Sequence, residues 1–287
     1  MKHALSVVAG LVVRAALAAV MTAGFAMADS PASASDLAQI YAGSVDRRIE
    51  VPAAEVKRYW ALAETALYRA EVALAQPQYI VVVDRSPWVQ AVLLLWRAGE
   101  GDYSLVGASP VSTGLPGSFD HFETPIGVFA HDLRNPDFRA EGTLNSNGIR
   151  GYGAKGMRVF DLGWQPAPKG WGDGKVMDMR LQMHATDPDL LERRLGTAQS
   201  KGCIRIPATL NHLLDHYGVI DAAYEDAARA GQAQWVLPPD RKPVAGAGRY
   251  VIVVDSLRSD RPEWSPAPYI PHVRPAVRPS LPVPPGR

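Results

Sequence analysis

The chain has 287 residues, with 30 basic and 29 acidic side chains, 7 histidines and a single cysteine. Basic residues do not cluster on any one predicted element, which argues against a nucleic-acid-binding surface. Removing residues 1–28, which carry Lys2 and Arg14 and no acidic residue, changes the formal net charge from +1 to −1. The remaining roughly 260 residues are enough for one large core or two small ones.

Residues 1–28 have the pattern of a secretory signal peptide. Lys2 and His3 begin it, an apolar run follows, and residues 26–28 (Ala-Met-Ala) offer the small residues of a cleavage site. Arg14 interrupts the apolar run, so neither half approaches the roughly 20 apolar residues of a membrane span. We therefore expect an exported, periplasmic protein with no membrane span after removal of the signal. A retained N-terminal anchor is the less favoured alternative.

Residues 29–77 are predicted to form a linker and one amphipathic helix. Residues 30–35 are small and typical of a linker, and apolar positions from Val51 to Leu74 have helical spacing. From Tyr79 onwards the pattern becomes that of β-strands. The segments YIVVVD, VQAVLLLW and YSLVGASPVSTG are separated by turn formers and predict a β-meander.

Residues 145–174 are rich in glycine and aromatic residues and predict loops. Trp164 and Trp171 lie in a part of this segment, 162–174, that could cover a binding site as a lid. Simple packing of the two tryptophans is the alternative interpretation.

The segment KVMDMRLQMH is the clearest strand. Apolar and polar residues alternate along it, so His184 ends the polar face. The apolar face is formed by Met177, Met179, Leu181 and Met183. A short helix is predicted over Pro188–Leu195 after an Asp187 cap, and a second from Pro207 to Gly218.

The single cysteine, Cys203, follows His184 by 19 residues, in the sequence Ser-Lys-Gly-Cys. One cysteine cannot form a disulfide within its chain, and a zinc site would need more ligands at short spacing. The simplest interpretation is that Cys203 is a small buried apolar residue. A nucleophilic thiol needs a neighbouring base, which His184 can supply, and Gly202 leaves backbone N–H groups free to stabilise an oxyanion. These parts suit acyl transfer.

The histidine, the spacer and the SKGCIR segment (200–205) resemble the signature of L,D-transpeptidases with a YkuD-type catalytic domain. VSTG at Val111–Gly114 and TPIG at Thr124–Gly127 resemble two further motifs of that family, in the same order. The similarity covers about residues 78–218. Many members have glycine after the first histidine and a second histidine before Gly-Cys, where this chain has Ala185 and Lys201.

The resemblance implies a mainly β fold: a YkuD-type, β-sandwich-like catalytic domain over residues 78–220, with peripheral helices and the amphipathic helix before it. Residues 221–261 would then be a C-terminal extension, with a strand of unassigned attachment at Tyr250–Asp255. Residues 262–287 are a tail rich in proline and arginine.

The resemblance also implies an activity without cofactor or metal. Cys203 would attack the L,D bond of a tetrapeptide stem of peptidoglycan, release D-alanine and form a thioester. An amine of a second stem, giving a 3-3 cross-link, or of an outer-membrane lipoprotein would then take the acyl group. Water would instead give an L,D-carboxypeptidase. Another cysteine amidase of the cell wall and a non-enzymatic wall-binding module are the remaining alternatives.

Further roles follow for residues near the motif. The family implies that the carbonyl of Ala185 orients the imidazole, and Asp187 is the rival orienting group. A nearby imidazolium should hold the pKa of the thiol below the free value of about 8.5. Ser200 is expected to bond within the turn or to the thiolate. Lys201 and Arg205 either pair with stem carboxylates or have structural or solvated roles, the latter also expected of His121, His131, His212 and His216.

Overall fold

The computed structural model describes residues 30–268, so the expected signal peptide and residues 269–287 of the tail lie outside the described part. Residues 30–268 form nine β-strands, four α-helices and one 3-10 helix. The expectation of a mainly β fold with peripheral helices is confirmed. No helix within these residues is both long and apolar enough to cross a membrane.

A five-stranded sheet contains the predicted meander. Strands β1 (Gln78–Asp84), β2 (Ala91–Gly99) and β3 (Asp102–Pro110) pair antiparallel. Strand β9 (Tyr250–Val254) lies parallel to β1, and β4 (Gly127–Ala130) pairs antiparallel with β9. The strand of unassigned attachment therefore lies inside this sheet, between β1 and β4. The sheet thus includes a strand from beyond residue 220, where the catalytic domain was expected to end.

A four-stranded sheet carries the other motifs. It consists of β5 (Phe138–Arg139), β6 (Arg158–Pro168), β7 (Val176–Ala185) and β8 (Ile204–Ile206), in that order. Strands β5 to β7 pair antiparallel, whereas β8 runs parallel to β7.

Strand β6 corrects the prediction of loops over residues 145–174. Phe160 and Leu162, two residues apart along this strand, are both buried in the same core. The register with β7 shifts between Asp161 and Trp164, where Gly163 has φ +81°. This irregularity interrupts the alternation of apolar and polar residues that would have revealed the strand.

The helix expected over Val51–Leu74 is present as α2 (Ala53–Arg69), and the helix expected after Pro207 is α3 (Ala208–His216). Helix α4 (Ala222–Arg229) follows. Helix α1 (Ala34–Ser44) begins within the predicted linker.

Helix α1 has a sequence signal in its cap. The Ser33 hydroxyl accepts the N–H of Asp36, and the Asp36 carboxylate accepts the N–H of Ser33. This reciprocal pair is a capping box, here with aspartate in place of glutamate.

The helix expected over Pro188–Leu195 is wrong. This segment forms a turn and a 3-10 helix, Glu192–Arg194. Asp187 does cap it, because its carboxylate accepts the N–H groups of Asp189 and Leu190. The turns that follow are too tight for an α-helix, since the N–H of Arg194 bonds to the carbonyl of Leu191, three residues back.

The five-stranded sheet is buried on both faces. Tyr79, Val81 and Val83 of β1 belong to the core shared with the four-stranded sheet, whereas Ile80 and Val82 pack in the core formed with α2. The four-stranded sheet contributes to the first core with Phe160, Leu181, Met183, Ile204 and Ile206. Its opposite face is left for polar side chains.

Candidate active site

His184 lies near the end of β7, and Cys203 lies in the turn just before β8, the strand that pairs with β7. In the parallel pairing of β7 with β8, Met183 lies opposite Ile204 and His184 opposite Arg205. Met183 and Ile204 are fully buried in the core. Since side chains alternate along a strand, His184 and Arg205 point to the other face. Cys203 lies in the turn just before β8 and is partly buried against the core.

The apolar face of β7 follows the prediction in part. Met179, Leu181 and Met183 are buried, whereas the side chain of Met177 is 48 % exposed. Met177 lies near the β6–β7 turn, opposite the buried Ala167.

The turn before Cys203 is held by hydrogen bonds of its own residues. The Ser200 hydroxyl donates to the Cys203 carbonyl (2.6 Å) and accepts the N–H of Gly202 (3.0 Å). The Ser200 hydroxyl therefore forms hydrogen bonds within the turn, which is one of the two roles expected for it. The N–H of Gly202 is likewise taken up and does not point freely at an oxyanion.

A side chain at position 202 would not fit this turn. Gly202 has φ +131°, and a Cβ there would lie 2.7 Å from Sδ of Met179 and 3.2 Å from Cβ of Phe122. Glycine therefore serves the conformation of the turn.

The VSTG and TPIG segments meet the cysteine turn. The Thr124 hydroxyl donates to the Gly202 carbonyl (2.6 Å) and accepts the N–H of Gly114 (2.8 Å). Ser112 and Arg205 exchange both backbone hydrogen bonds, at 3.0 and 2.9 Å. Motifs far apart in sequence thus form one backbone junction around Cys203.

The imidazole of His184 is oriented by a backbone carbonyl. Its Nδ1 lies 2.6 Å from the carbonyl oxygen of Ala185. Since a carbonyl only accepts, Nδ1 carries a proton and Nε2 keeps the lone pair of a base. Burial lowers the pKa of His184 to about 4, with the Arg205 cation acting in the same direction and the Ala185 hydrogen bond opposing it.

Asp187 does not orient the imidazole. Its carboxylate accepts the backbone N–H groups of Arg150 (2.8 Å), Asp189 (3.0 Å) and Leu190 (2.9 Å). These bonds outweigh burial and lower the pKa of the carboxyl group. The residue is engaged in capping the following turn.

The thiol of Cys203 is protonated in this environment. Its Sγ lies 3.6 Å from the carbonyl oxygen of Arg180. Burial raises the pKa of the thiol to about 11, against backbone hydrogen bonding at Gln182 and the charge of Arg205. The expected low pKa is therefore wrong, because His184 is neutral near pH 7 and provides no imidazolium to stabilise a thiolate.

Lys201 and Arg205 occupy different environments. The Lys201 ammonium lies 2.8 Å from the Asp120 carboxylate, and both side chains are more than half exposed. Arg205 is half-buried on the face that carries His184.

Four further polar residues surround this face. The buried Asp161 carboxylate accepts from Nε of Arg180 and Nε2 of Gln182, both at 2.8 Å. The Tyr152 hydroxyl donates to Oε1 of Gln182 (3.1 Å), and its ring meets the imidazole of His184 edge to face at 4.7 Å. The alternation of β7 could have identified Arg180 and Gln182. No local pattern points to Tyr152 or Asp161.

The segment interpreted either as a lid or as simple packing is a strand end and a hairpin turn. Trp164 lies in β6 opposite Arg180 and is 62 % exposed. Trp171 packs edge to face on Phe122 at 4.9 Å and on Phe119 at 5.5 Å. The packing interpretation therefore describes Trp171.

A second polar cluster is buried away from this face. Ligand atoms of His131, Asp137 and Asp221 lie within 4.8 Å of one another. The Arg158 guanidinium donates to Asp137 (2.6 Å) and Asp221 (3.1 Å). Because this cation already occupies the space between the carboxylates, the group suits an internal ion network better than a metal ion.

Comparisons with known proteins leave the family undetermined. No protein-family model and no curated protein matches the sequence. Among solved structures, a mutant of the helical cell shape determining protein Pgp2 from Campylobacter jejuni is similar, with a TM-score of 0.32 and 12 % sequence identity. The match covers 82 % of this chain but 57 % of that one, so the chain spans less than two thirds of its length. A likeness at this level carries no argument about activity.

Proposed function

We propose that this chain is a peptidoglycan L,D-transpeptidase with a YkuD-type catalytic domain, exported to the periplasm. Cys203 is the nucleophile and His184 the base. The observation that carries the proposal is their arrangement. Cys203 lies in the turn that enters β8, which pairs parallel with the end of β7 that carries His184, and the Ala185 carbonyl holds the proton of the imidazole on Nδ1. Tyr152 contacts the imidazole of His184, and the charge of Cys203 acts on its hydroxyl.

The first half-reaction follows from these protonation states. Both groups are neutral near pH 7, so Nε2 of His184 takes the thiol proton as Sγ attacks the carbonyl carbon of the third stem residue. The C–N bond to D-alanine then breaks, the imidazolium returns the proton to the leaving amine, and a thioester on Cys203 remains. The Ala185 carbonyl stabilises the transient imidazolium, since it accepts from Nδ1.

The second half-reaction reverses these roles. An amine of another stem peptide, or of a lipoprotein, loses a proton to Nε2 of His184 and attacks the thioester carbon. The C–S bond breaks and the thiol of Cys203 is restored by the imidazolium. Water in place of the amine gives the L,D-carboxypeptidase product.

The test is incubation of the purified protein with defined tetrapeptide muropeptides and analysis of the products by mass. We expect cross-linked dimer and free D-alanine from the wild type and neither from Cys203→Ala, with unchanged thermal stability of the variant. Tripeptide without dimer across many acceptors would assign a carboxypeptidase. Binding of muropeptides without any product would favour the wall-binding alternative.

A further inference from the structure

Arg205 is a cation without a counter-ion among the described residues, on the face that carries His184 and two residues beyond Cys203. Within residues 30–268, its guanidinium makes one hydrogen bond, from Nη1 to the Gln199 carbonyl at 3.4 Å. Its Nε is buried and has no partner there. An arginine offers five N–H donors, and a half-buried charge is costly unless it is paired.

The other arginine that faces the site differs in this respect. Arg180 donates to the Asp161 carboxylate at 2.8 Å and is therefore neutralised by its own chain. Among the described residues no carboxylate lies within ion-pair distance of Arg205. A ligand that supplies a carboxylate would satisfy it.

The register of the strands defines which part of a substrate Arg205 would meet. Arg205 lies directly opposite His184 and two residues beyond Cys203. In the reaction proposed above, His184 delivers its proton to the leaving amine. The atoms attached to that amine must therefore lie beside His184, on the side of Arg205. In a departing amino acid the α-carboxylate is two bonds away from the amine nitrogen.

We propose that Arg205 binds the free α-carboxylate of the leaving residue and so selects donors that have a single residue after the scissile bond. A donor with two such residues presents a neutral amide at this position. The guanidinium matches a carboxylate with two parallel N–H donors, which an amide cannot accept equally well. This inference rests on the proposed acyl transfer and adds the specificity of the leaving-group side.

The charge of Arg205 also acts on the two reacting groups. It opposes protonation of His184 and favours ionisation of Cys203, which places the guanidinium near both. A bound carboxylate would partly neutralise it. The imidazole would then accept a proton more readily once the correct donor is in place.

The test compares two donors that share the same acyl part and end in D-alanine or D-alaninamide. For the wild type we expect kcat/KM about 10–100-fold higher for the free acid, the range of a charge-assisted hydrogen bond. Arg205→Met should remove this preference by slowing the acid, and Arg205→Lys should keep part of it. Arg229→Met, which removes an exposed arginine paired with Asp226, is the matched control and should keep the full preference.

Two results would overturn the inference while the proposed function stands: equal use of both donors by the wild type, or an undiminished preference in Arg205→Met. Absence of turnover with every donor would refute the proposed function instead. In that case binding of a carboxylate by Arg205 is tested by NMR. Acetyl-D-alanine, but not its amide, should shift the His184 signals of the wild type and leave those of Arg205→Met unchanged. Equal shifts in both proteins would overturn the inference.

Discussion

The protonated thiol gives a direct test of the site. Burial raises the pKa of Cys203 from 9.0 to about 11, so the thiolate fraction at pH 7 is about 100-fold lower than for an unperturbed thiol. A thiolate two pKa units more basic is roughly tenfold more nucleophilic, which offsets part of this loss. Alkylation by iodoacetamide at pH 7 should therefore be at least about tenfold slower in the folded protein than in the chain unfolded in urea.

The assay needs no other variant, because Cys203 is the only cysteine in the chain. The rate of mass gain is followed between pH 6 and 10. For the folded protein its logarithm should rise linearly throughout, whereas the unfolded chain should level off near pH 9. An inflection below pH 8.5 in the folded protein would refute our account, because it would require the imidazolium–thiolate pair that a His184 pKa of about 4 excludes.

Three further predictions concern the turn, the base and the buried ion network. Gly202→Ala should destabilise the fold by about 2–5 kcal/mol in urea titration, because position 202 has a positive φ and a Cβ there would meet Met179. Gly43→Ala is the control, since a Cβ at position 43 meets nothing within 4 Å, and it should not destabilise the fold. Equal stabilities of the two variants would contradict this prediction. His184→Gln should lower kcat/KM by about 10²–10⁴-fold, and a loss under about tenfold would point to another base. Because the pKa of His184 is lowered in the folded protein, the unfolded wild type binds more protons than the folded one between pH 4 and 6.5. The wild type should therefore lose about 3 kcal/mol of stability from this residue between pH 7 and pH 4, and His184→Gln should not show this loss. Arg158→Met should cost about 3–5 kcal/mol by leaving buried carboxylates without their cation, and an unchanged Tm would contradict the network.

Local patterns in the sequence were sufficient for several parts of the protein. The period of two along β7 identified the face of His184, and the helical spacing identified α2, because both depend only on which side of an element is buried. The capping box at Ser33 was an available local signal for α1. The interaction of His184 with the Ala185 carbonyl came from the family resemblance, and it involves neighbouring residues.

Only the tertiary structure decided the rest. The insertion of β9 between β1 and β4 joins segments more than 100 residues apart, and the pairing of β7 with β8 sets Arg205 opposite His184. The pKa directions of the site likewise depend on burial under the whole sheet, and they reversed the expectation for the thiol. Alternation reports the face on which a side chain lies. It does not report which strand pairs with it or how far the side chain is shielded from water, since both depend on how distant segments bury their apolar faces together.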